Sequence, residues 1–374
     1  MNFLRRAWAE IDTSALIHNF HILKRCAGDA KLMAVVKADA YGHSARDIAP
    51  LLQQHGADAF AVSNLEEALV LRDCGITKPI LILGYTPPAS AAQIAHNHLI
   101  QTVFSPDYAA ALSKQAVTDG VKVTVHIKLD TGMGRIGFDC RDESLCGLRD
   151  ALAAARLPGF IFDGVFTHFA VADRTEQEED GFTDAQYARF SSAVQRFEAE
   201  GLPPRIRHCC NSAACCLDPE KHMDFCRAGI LLYGLTPSHT LTLPEDFQPV
   251  MTFKSVVSMV KTIKAGQTVS YGRTFTAPRD MTVATVTAGY ADGYPRLLSG
   301  RGHVVIHGQD APLIGRICMD QFCVDVSAVQ SVQPGDEVTL FGKELPVEQL
   351  ADLCGTINYE IVCGLTARVP RILK

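Results

Sequence analysis

Eight short apolar runs, separated by segments with helical periodicity, constrain the fold of this chain more than any other feature. The runs are LMAVVK (32–37), AFAV (59–62), PILIL (79–83), LIQTVF (99–104), VKVTVHIKL (121–129), FIFDGVFT (160–167), RIRHCC (205–210) and MDFCRAG (223–229). Strands that alternate with helices predict a parallel sheet, and eight of them favour a (β/α)8 barrel of the TIM type. A doubly wound sheet is the structural alternative.

The segments between the runs carry helix start and stop signals. NLEEALVLRDCG and SPDYAAALSKQAVTDG each open on a capping residue, Asn64 and Ser105, and each close on a glycine, Gly75 and Gly120. An amphipathic stretch near residues 13–26 precedes the first run. These signals predict crossover helices between the strands.

After about residue 240 the rhythm changes to apolar alternation of period two. The segments are TFKSVVSMVKTI, MTVATVTAGY, GHVVIHG, QFCVDV and DEVTLFG, with turn signals APRD, ADG, SGRG, HGQD and QPGD among them. One helix is expected at VEQLADLCG. We therefore expect two domains, a barrel over residues 1–237 and a C-terminal mostly-β domain over residues 238–374.

Charge and hydropathy exclude several classes of function. The 374 residues carry a formal net charge of -6 and no long basic run, which argues against nucleic-acid binding. No apolar run approaches the roughly 18 residues of a membrane span, and the charged N-terminus is not followed by the apolar stretch of a signal peptide. A cytoplasmic enzyme is the expectation.

Thirteen cysteines invite a metal or disulfide interpretation, but their spacing does not support one. Cys209 and Cys210 are adjacent, as are Cys215 and Cys216, and C-x-x-C is absent from the sequence. An odd count without a secretory signal is typical of reduced, mostly buried thiols. We expect no metal site.

The stretch KLDTGMGRIGF contains Gly132, Gly134 and Gly137, which match the G-x-G-x-x-G spacing of a dinucleotide-binding turn. It follows the fifth predicted strand, however, and the next residues, FDCRDESLCGL, open no helix within the motif. A glycine-rich loop at the carboxyl end of a barrel strand is the better interpretation. Lys128, Asp130 and Arg135 would then point toward the active site.

Polar residues follow three other predicted strands. Lys37 comes after four apolar residues, where poor solvation lowers the pKa of an amine and suits a Schiff-base lysine; a lysine snorkelling from the barrel mouth is the alternative. CNSAACC and CRAGILLYG follow strands seven and eight, where barrels commonly bind phosphate. Asn211, Ser212, Arg227 and the amides of Gly229 and Ile230 supply donors there, although ordinary capping would explain them too. Pyridoxal 5′-phosphate (PLP) would fit both features, because its aldehyde would bond to Lys37 and its phosphate would bind in these loops.

At these residues the sequence resembles the alanine racemase family. AVVKADAYGH resembles the PLP-lysine signature, and HIKLDTGMGRIGF, GVFTHFA, HCCNSAA, RAGILLYG, VSYGRTF, GYADGYPR and GRICMDQ resemble further motifs in the family's order. Ser44 stands where a glycine is usual, a departure that touches local capping. The resemblance covers nearly the whole chain. It implies a barrel and a β domain, PLP-dependent interconversion of L- and D-alanine for peptidoglycan or alanine catabolism, and a head-to-tail homodimer with shared sites.

The resemblance also implies residue roles. Lys37 would bond to PLP and act as one catalytic base, and Tyr271 would be the second. Arg227, supported by His208, would face the pyridine nitrogen, and His168 would lie against the cofactor ring. The phosphate would be held by Tyr41, Ser212, Gly229, Ile230 and Tyr359. Arg135 would bond to the phenolic oxygen, Met319 would contact the substrate carboxylate, and Asp320 would line the substrate entrance. Many members carry a carbamate at the lysine matching Lys128, which would accept hydrogen bonds from Arg135.

The chemistry of racemisation makes matching demands, because one base is needed on each face of the α-carbon. Tyr271 has an ordinary pKa of about 10 and would need cationic help to act as a base. Three alternative functions remain open. A PLP-homeostasis protein would resemble the barrel half only, and a barrel-type decarboxylase would place an acidic partner at the pyridine nitrogen. The third is a racemase of another amino acid such as serine.

Overall fold

The chain forms two compact units that do not follow chain order. The computed structural model describes residues 6–174, 180–238, 241, 243 and 246–374. The unit that we call the barrel unit comprises Ile17–Ala40 and Ala45–Phe247, and the β unit comprises Met1–Leu16, Tyr41–Ser44 and Gln248–Lys374. The N-terminal segment belongs to the β unit because strand β1 (Ala7–Ile11) pairs with a strand near residue 255.

The barrel unit is built on parallel strands in nearly sequential order, as predicted. The strands are β2 (Lys31–Val35), β3 (Ala59–Val62), β4 (Ile80–Ile82), β5 (Leu99–Val103), β6 (Val123–Asp130), β8 (Phe160–Phe166), β9 (Ile206–His208) and β10 (Phe225–Ala228), and the short β7 (Phe138–Asp139) lies beside the end of β6. β10 pairs with β2, and the amides of Asp224 and Arg227 donate to the carbonyls of Arg207 and Cys210, both at 3.0 Å. These bonds close the sheet, and the (β/α)8 barrel is confirmed.

Helices connect the barrel strands, and their predicted caps are present. The helices are α1 (Thr13–Ala27), α2 (Ala45–Gln54), α3 (Leu65–Asp73), α4 (Ala91–His96), α5 (Pro106–Thr118), α6 (Leu148–Ala155), α7 (Phe182–Ala199) and α8 (Ser212–Leu217). Asn64 accepts a hydrogen bond from the amide of Glu67 at 2.9 Å, and Ser105 accepts one from Tyr108 at 3.3 Å. Gly75 and Gly120 follow the last residues of α3 and α5 with φ of 80° and 68°.

The β unit is a mostly antiparallel sheet that closes on itself. Its further elements are β11 (Met251–Ile263), β12 (Thr268–Val269), β13 (Phe275–Thr276), β14 (Met281–Val286), β15 (His303–Ile306), β16 (Gln309–Ile314), β17 (Phe322–Asp325), β18 (Glu337–Phe341), α9 (Val347–Cys354), α10 (Asn358–Cys363) and β19 (Arg371–Leu373). The order is β14-β17-β16-β15-β18-β11, and β11 pairs again with β14. β1 lies between β11 and β19. The predicted β domain and its helix at 347–354 are confirmed.

Two strands, β1 of five residues and β16 of six, were not predicted from the sequence. β1 lies in AWAEI, and β16 begins directly after the turn at His307 and Gly308, whose φ values are 52° and 71°. Gln309 and Asp310 had been assigned to that turn, and Pro312 argues against a strand. In the structure Pro312 pairs opposite His303, and packing of the alternate residues Ala311 and Leu313 stabilises the strand.

The three glycines of the G-x-G-x-x-G stretch serve packing and backbone geometry. Gly132, Gly134 and Gly137 have φ of 147°, 68° and 133°, and the next helix begins only at Leu148. A Cβ on Gly137 would lie 2.6 Å from the backbone nitrogen of Asp130, whereas one on Gly134 would meet nothing within 4 Å. The loop therefore folds back on β6, and no helix N-terminus faces it, as expected for a positioning loop.

We predict that Gly137→Ala will destabilise the protein by more than about 3 kcal/mol, because the new methyl group displaces the backbone of β6. Gly134→Ala is the matched control and should cost about 1 kcal/mol, since it adds only the strain of a left-handed conformation. Urea unfolding of both variants measures the difference. Equal losses would show that the close approach to Asp130 has no energetic weight.

All thirteen cysteines lie within the described residues, and none of them forms a disulfide there. The expectation that most are buried is wrong, because only Cys140, Cys209, Cys210, Cys215 and Cys226 are buried and the other eight are partly or fully exposed. The exposed thiols are those of Cys146 and Cys363. Within the ranges that the structure describes, no helix has the length and apolar composition needed to cross a membrane.

Candidate active site

Five of the predicted site residues lie at the carboxyl ends of barrel strands. Lys37 follows β2, Lys128 is near the end of β6, His168 follows β8, His208 ends β9 and Arg227 is in β10. The carboxyl ends of parallel strands meet at one mouth of a barrel. The barrel fold thus brings together residues that are up to 190 positions apart in the sequence (227 − 37).

Arg227 is a buried cation whose hydrogen-bond acceptors are all neutral groups. Its side chain is 4% exposed. Nη1 donates to Nδ1 of His208 at 2.8 Å, and Nη2 lies 2.8–3.0 Å from the carbonyls of Thr167 and Cys209 and from Nδ1 of His168. An arginine stays protonated in such a site and can only donate. Each imidazole beside it must therefore present a lone pair.

A chain of hydrogen bonds continues from Arg227 into the barrel. Because Nδ1 of His208 accepts, its Nε2–H donates to Nδ1 of His126 at 2.9 Å. Nε2–H of His126 then donates to Asp163 at 3.2 Å, and Asp163 also accepts from Arg205 at 2.6 Å. The direction of every bond follows from the permanent charge of Arg227 at one end. We call Arg227, His208, His126 and Asp163 the relay.

The electrostatics agree with this orientation. Burial lowers the pKa of His168 and of His208 well below the ordinary value, and the nearby charge of Arg227 lowers both further. Burial also lowers the pKa of His126, despite the carboxylate of Asp163. Burial opposes ionisation of Asp163, but hydrogen bonds from His126 and Arg205 lower its pKa to about 2. Two neutral imidazoles, those of His208 and His126, thus separate the cation Arg227 from the anion Asp163.

Lys128 is the second buried cation in this region. It is 3% exposed, and its Nζ and the Cζ of Arg227 each lie 5.5 Å from the ring centroid of Phe166. Burial, with the charges of Arg135, Arg227 and Lys37, lowers the pKa of Lys128 to about 7, although Asp130 opposes the shift. A large share of this amine is neutral near pH 7 and is therefore nucleophilic.

Asp130 fixes the loop that carries Arg135. One carboxylate oxygen accepts hydrogen bonds from the amides of Gly132 at 3.1 Å and Gly134 at 3.0 Å. Arg135 itself is exposed at the tip of this loop. Asp130 supplies one negative charge against Arg135, Arg227 and Lys37, so the cations around Lys128 stay in excess.

The loops after β9 and β10 meet as expected. Oγ of Ser212 accepts from the amide of Gly229 at 2.7 Å, and Ile230 is buried beside it. Gly229 has φ −115° and ψ −106°. The side chain of Asn211 accepts from the amide of Ala214 and so caps α8 at 3.1 Å, which is the capping role considered as the alternative.

A left-handed turn follows Lys37. Ala38, Asp39, Ala40 and Tyr41 have φ between 52° and 54°, which costs roughly 1–2 kcal/mol for each residue that has a Cβ. The amide of Ala38 donates to Glu67 and Asp39 accepts from the amide of Ala45, both at 2.7 Å. Such strain persists only where the surroundings hold it, and functional sites are where it accumulates. It sets the direction in which Lys37 leaves its strand.

The turn ends at Ser44, whose φ is 73°. Only glycine adopts this region without strain, which explains in physical terms why a glycine would be usual there.

The other predicted site residues lie in the β unit. The rings of Tyr41 and Tyr359 are 6.0 Å apart, and burial raises the pKa of Tyr41. Tyr271 is 71% exposed and Met319 is 53% exposed. Their loops are joined, since Oγ of Ser270 donates to the carbonyl of Arg316 at 2.7 Å.

Asp320 takes part in an ion pair at the surface of the β unit. It accepts from Arg368 at 2.7 Å, and Arg368 also lies 3.6 Å from Asp292. Arg6 pairs with Asp292 as well. The position of the Asp320 carboxylate is thus tied to two further charged residues.

The sequence reading missed His126, Asp163 and Arg205. A signal was present, because His126 lies two residues before Lys128 in an otherwise apolar strand, and side chains two apart share a face. Asp163 likewise interrupts the apolar run FIFDGVFT. A polar residue buried inside a strand requires a hydrogen-bond partner. Two strands that each carry such a residue therefore indicate a buried polar contact like the relay.

The site fits a phosphate-bearing cofactor with an aldehyde. Lys37, Lys128, Arg135 and Arg227 bring excess positive charge, Ser212 and the backbone around Gly229 offer a polar cradle, and a buried arginine faces the barrel interior. A barrel with such a mouth, joined to an antiparallel β domain, defines the class of barrel-type PLP enzymes.

Comparison with known proteins identifies the family. Residues 11–237 match the alanine racemase N-terminal domain, and residues 250–373 match the alanine racemase C-terminal domain. The chain is 46% identical to an alanine racemase of Desulfovibrio desulfuricans over 374 residues, covering 100% of this chain and 99% of the relative. An alanine racemase of Desulfosudis oleivorans is 45% identical over 377 residues, covering 98% and 96%.

Solved structures agree over the full length. Alanine racemase of Clostridium difficile superposes with a TM-score of 0.92 at 36% identity, covering 100% of this chain and 97% of that one. The Bacillus anthracis enzyme with bound L-Ala-P gives the same TM-score and identity, covering 100% and 96%. The chain belongs to the alanine racemase family, which consists of PLP-dependent isomerases, and full-length similarity at this level assigns it alanine racemase activity.

We predict that Asp163→Asn will lower kcat for alanine racemisation by about 100-fold and the free energy of unfolding by about 3 kcal/mol. An amide can donate to His126, which would reverse its tautomer and set two N–H groups of His126 and His208 against each other. Asp224→Asn is the control, because Asp224 pairs with Arg207 outside the relay. Steady-state kinetics and thermal unfolding measure both effects. A variant as active as Asp224→Asn would show that the relay does not orient Arg227.

Proposed function

We propose that this chain interconverts L- and D-alanine with PLP bonded to Lys37, using Lys37 and Tyr271 as bases on opposite faces of the α-carbon. The family supplies the reaction, and the buried Arg227 with its relay is the observation that carries the mechanism. We propose a barrel domain over residues 1–237 and a β domain over residues 238–374 as the division along the sequence, although residues 1–16 and 41–44 group with the β unit by their contacts. We place the enzyme in the cytoplasm, where a reducing environment preserves its thirteen free thiols.

Bound PLP would supply an electron sink that makes the α-proton of the substrate acidic. Ser212 and the amides of Gly229 and Ile230 would hold its phosphate, together with Tyr41 and Tyr359 and with Asn211 at the edge of the cradle. His168 would lie against its ring. Arg135 would donate to its phenolic oxygen, Met319 would contact the substrate carboxylate, and Asp320 would line the entrance.

Arg227 would face the pyridine nitrogen and limit side reactions. Since its guanidinium is fixed by His208, His168 and two carbonyls, it donates a hydrogen bond but keeps its proton. The ring nitrogen would thus stay unprotonated and withdraw electrons less strongly. Arg227 would in this way limit side reactions such as transamination.

The two bases would act on opposite faces. The amine of Lys37 would take or return the proton on one face, and the phenolic oxygen of Tyr271 would do so on the other. A decarboxylase would be expected to have an acidic residue where this chain has Arg227. The match of residues 250–373 to the C-terminal domain also distinguishes the chain from proteins that share only the barrel.

The function is tested by incubating the purified enzyme and PLP with L-alanine and, separately, L-serine, followed by chiral chromatography. D-alanine should form at least tenfold faster than D-serine, because the pocket must reject an added hydroxyl. Borohydride reduction and peptide mapping should then place a pyridoxyl group on Lys37. Racemisation without that label, or a label on another lysine, would contradict the assignment.

We also propose a head-to-tail homodimer with shared sites. Tyr271 and Met319 are large side chains that their own chain leaves 71% and 53% exposed. Residues of this kind are expected at an interface. In a symmetric pair, the β unit of each subunit would place them at the barrel mouth of the other.

Mixing two inactive variants tests this arrangement. Lys37→Ala and Tyr271→Phe should each be inactive, and a mixed dimer should regain one intact site of two. Random exchange makes half the dimers mixed, so about a quarter of the wild-type activity should return. Lys37→Ala mixed with the double variant is the control and should stay inactive. No recovery after subunit exchange has been shown by mass spectrometry would place both bases in one subunit.

We further propose that Lys128 carries a carbamate. Its neutral amine would attack carbon dioxide, forming an N–C bond and releasing one proton, and the product is an anion. That anion would be attracted to Arg135 and Arg227, whose charges already act on Lys128. It would relieve the excess of cations that Asp130 leaves uncompensated, and it would hold Arg135 toward the cofactor.

The carbamate should depend on pH with a definite sign. The pKa of Lys128 is lowered to about 7, so the neutral amine prevails above pH 7 and is lost as pH falls through that value. With ¹³C-bicarbonate, a bound carbamate resonance should appear above pH 7 and disappear below it. Lys128→Ala should lack the resonance and lose activity, with partial recovery in acetate. Lys122→Ala, a surface change on the same strand approach, is the control. A wild-type protein without the resonance would exclude the modification.

A further inference from the structure

Two thiols and an imidazole meet in the barrel unit away from the candidate active site. They belong to Cys210 after β9, His222 in the connection to β10, and Cys226 within β10, and their ligand atoms all lie within 4.8 Å of one another. We propose that Cys210, His222 and Cys226 form a zinc site, with the two sulfurs bound as thiolates and His222 as a neutral imidazole.

The cluster lies on the other face of β10 from the relay. Successive side chains of a strand point to opposite faces, and Arg227 points to Thr167, His168 and His208. Cys226 must therefore point away from that group. A metal ion here would be separate from the cofactor, although it would share a strand with Arg227.

The ring of His222 is held by a hydrogen bond that leaves one ring nitrogen available to a metal ion. Its Nε2 lies 3.0 Å from the carbonyl of Cys215. Since a carbonyl can only accept, Nε2 carries the proton and Nδ1 keeps its lone pair. Histidines bound to metals almost always donate their other ring N–H in this way, which fixes the tautomer and the ring orientation.

The turn before His222 is held by a buried cation. Lys221 lies 2.7 Å from Asp218, 2.7 Å from Glu220 and 2.9 Å from Asp184. Its own carbonyl accepts from the thiols of Cys209 and Cys210 at 3.3 and 3.5 Å. The backbone beside His222 is thus fixed next to the sulfur of Cys210 before any ion binds.

The donor set and its burial select the ion. Two thiolates and one neutral imidazole carry two negative charges, which Zn²⁺ neutralises, and a neutral complex suits two cysteines that are fully buried. Binding would form two Zn–S bonds and one Zn–N bond and release two thiol protons. Zn–S bonds of about 2.3 Å place tetrahedral sulfurs roughly 3.8 Å apart, so only small side-chain rotations are required. Mg²⁺ and Ca²⁺ prefer oxygen ligands.

An entry path exists at His222. This residue is half-buried and lines an open cavity of about 750 Å³ that also contains Asp29, Asp58 and Asp224. These carboxylates share the cavity with the cationic Lys31, Lys78 and Arg205, so the cavity gives solvent access to His222 without a net negative charge. From the sequence we expect no metal site, because the ligand spacing of 12 residues and then 4 differs from C-x-x-C. Only the return of the chain from β9 to β10 brings the three residues together.

Zinc binding to the untagged, reduced holoenzyme tests the proposal. After dialysis against EDTA, equilibrium dialysis with Zn²⁺ and metal analysis should give one ion per chain, and thermal unfolding should shift upward by several degrees. Cys210→Ser, Cys226→Ser and His222→Gln should each weaken binding at least tenfold and abolish the shift. Cys146→Ser and His96→Gln are matched controls and should bind as the wild type does. All variants contain the same cofactor, so zinc chelated by PLP would cancel in the comparison.

Several results would overturn the proposal. Wild-type protein that binds no zinc at micromolar concentrations would do so, as would zinc that the Cys210→Ser/Cys226→Ser double variant retains in full. A Cys210–Cys226 disulfide formed in air, found by mass spectrometry in a protein that binds no zinc when reduced, would identify a redox pair instead. Circular dichroism and the visible absorption of the bound cofactor separate loss of a ligand from loss of the fold.

Discussion

The permanent charge of Arg227 is the constraint on which the polar interior of the barrel depends. A guanidinium that cannot release its proton, buried to 4% exposure, requires acceptors on every side. Two imidazoles and two carbonyls provide them. The tautomer of His208 follows, then that of His126, and the compensating anion is placed at Asp163, behind two rings. A single charged side chain thus orders four strands of the barrel, and a proton cannot move along the relay without charging a buried imidazole.

The barrel mouth holds more positive charge than its own carboxylates balance. Burial and then Arg135, Arg227 and Lys37 lower the pKa of Lys128, and Asp130, one of whose oxygens accepts from two backbone amides, supplies one opposing charge. This repulsion weakens the protein without ligands and is relieved by any anion that binds there. A phosphate, a substrate carboxylate and a carbamate would each contribute, so occupancy of the site and stability of the barrel should rise together.

How much could be predicted depended on whether a feature was local. The barrel strands and the caps at Asn64 and Ser105 were visible as runs and short motifs, and the motif residues Lys37, Ser212 and Arg227 were found because each ends or follows a strand. β16 was missed because a proline within the segment argues against a strand, although Pro312 pairs opposite His303 in the structure. β1 was missed because its five residues form a strand through pairing with β11, which lies far along the chain. The relay left only a partial signal, the polar residues His126 and Asp163 inside apolar strands, and the thiol cluster left none, since each joins residues from different parts of the chain.

The position of β1 has a consequence for synthesis of the chain on the ribosome. Ala7 pairs with Ser255, so β1 waits until 248 further residues have been made (255 − 7). At about 5–20 residues per second the wait is roughly 12–50 s. The whole barrel unit can fold during that time, while AWAEI and its buried Trp8 have no sheet to join. An unpaired apolar strand is a template for intermolecular pairing, so the nascent chain is exposed to aggregation from its first residues until β11 appears.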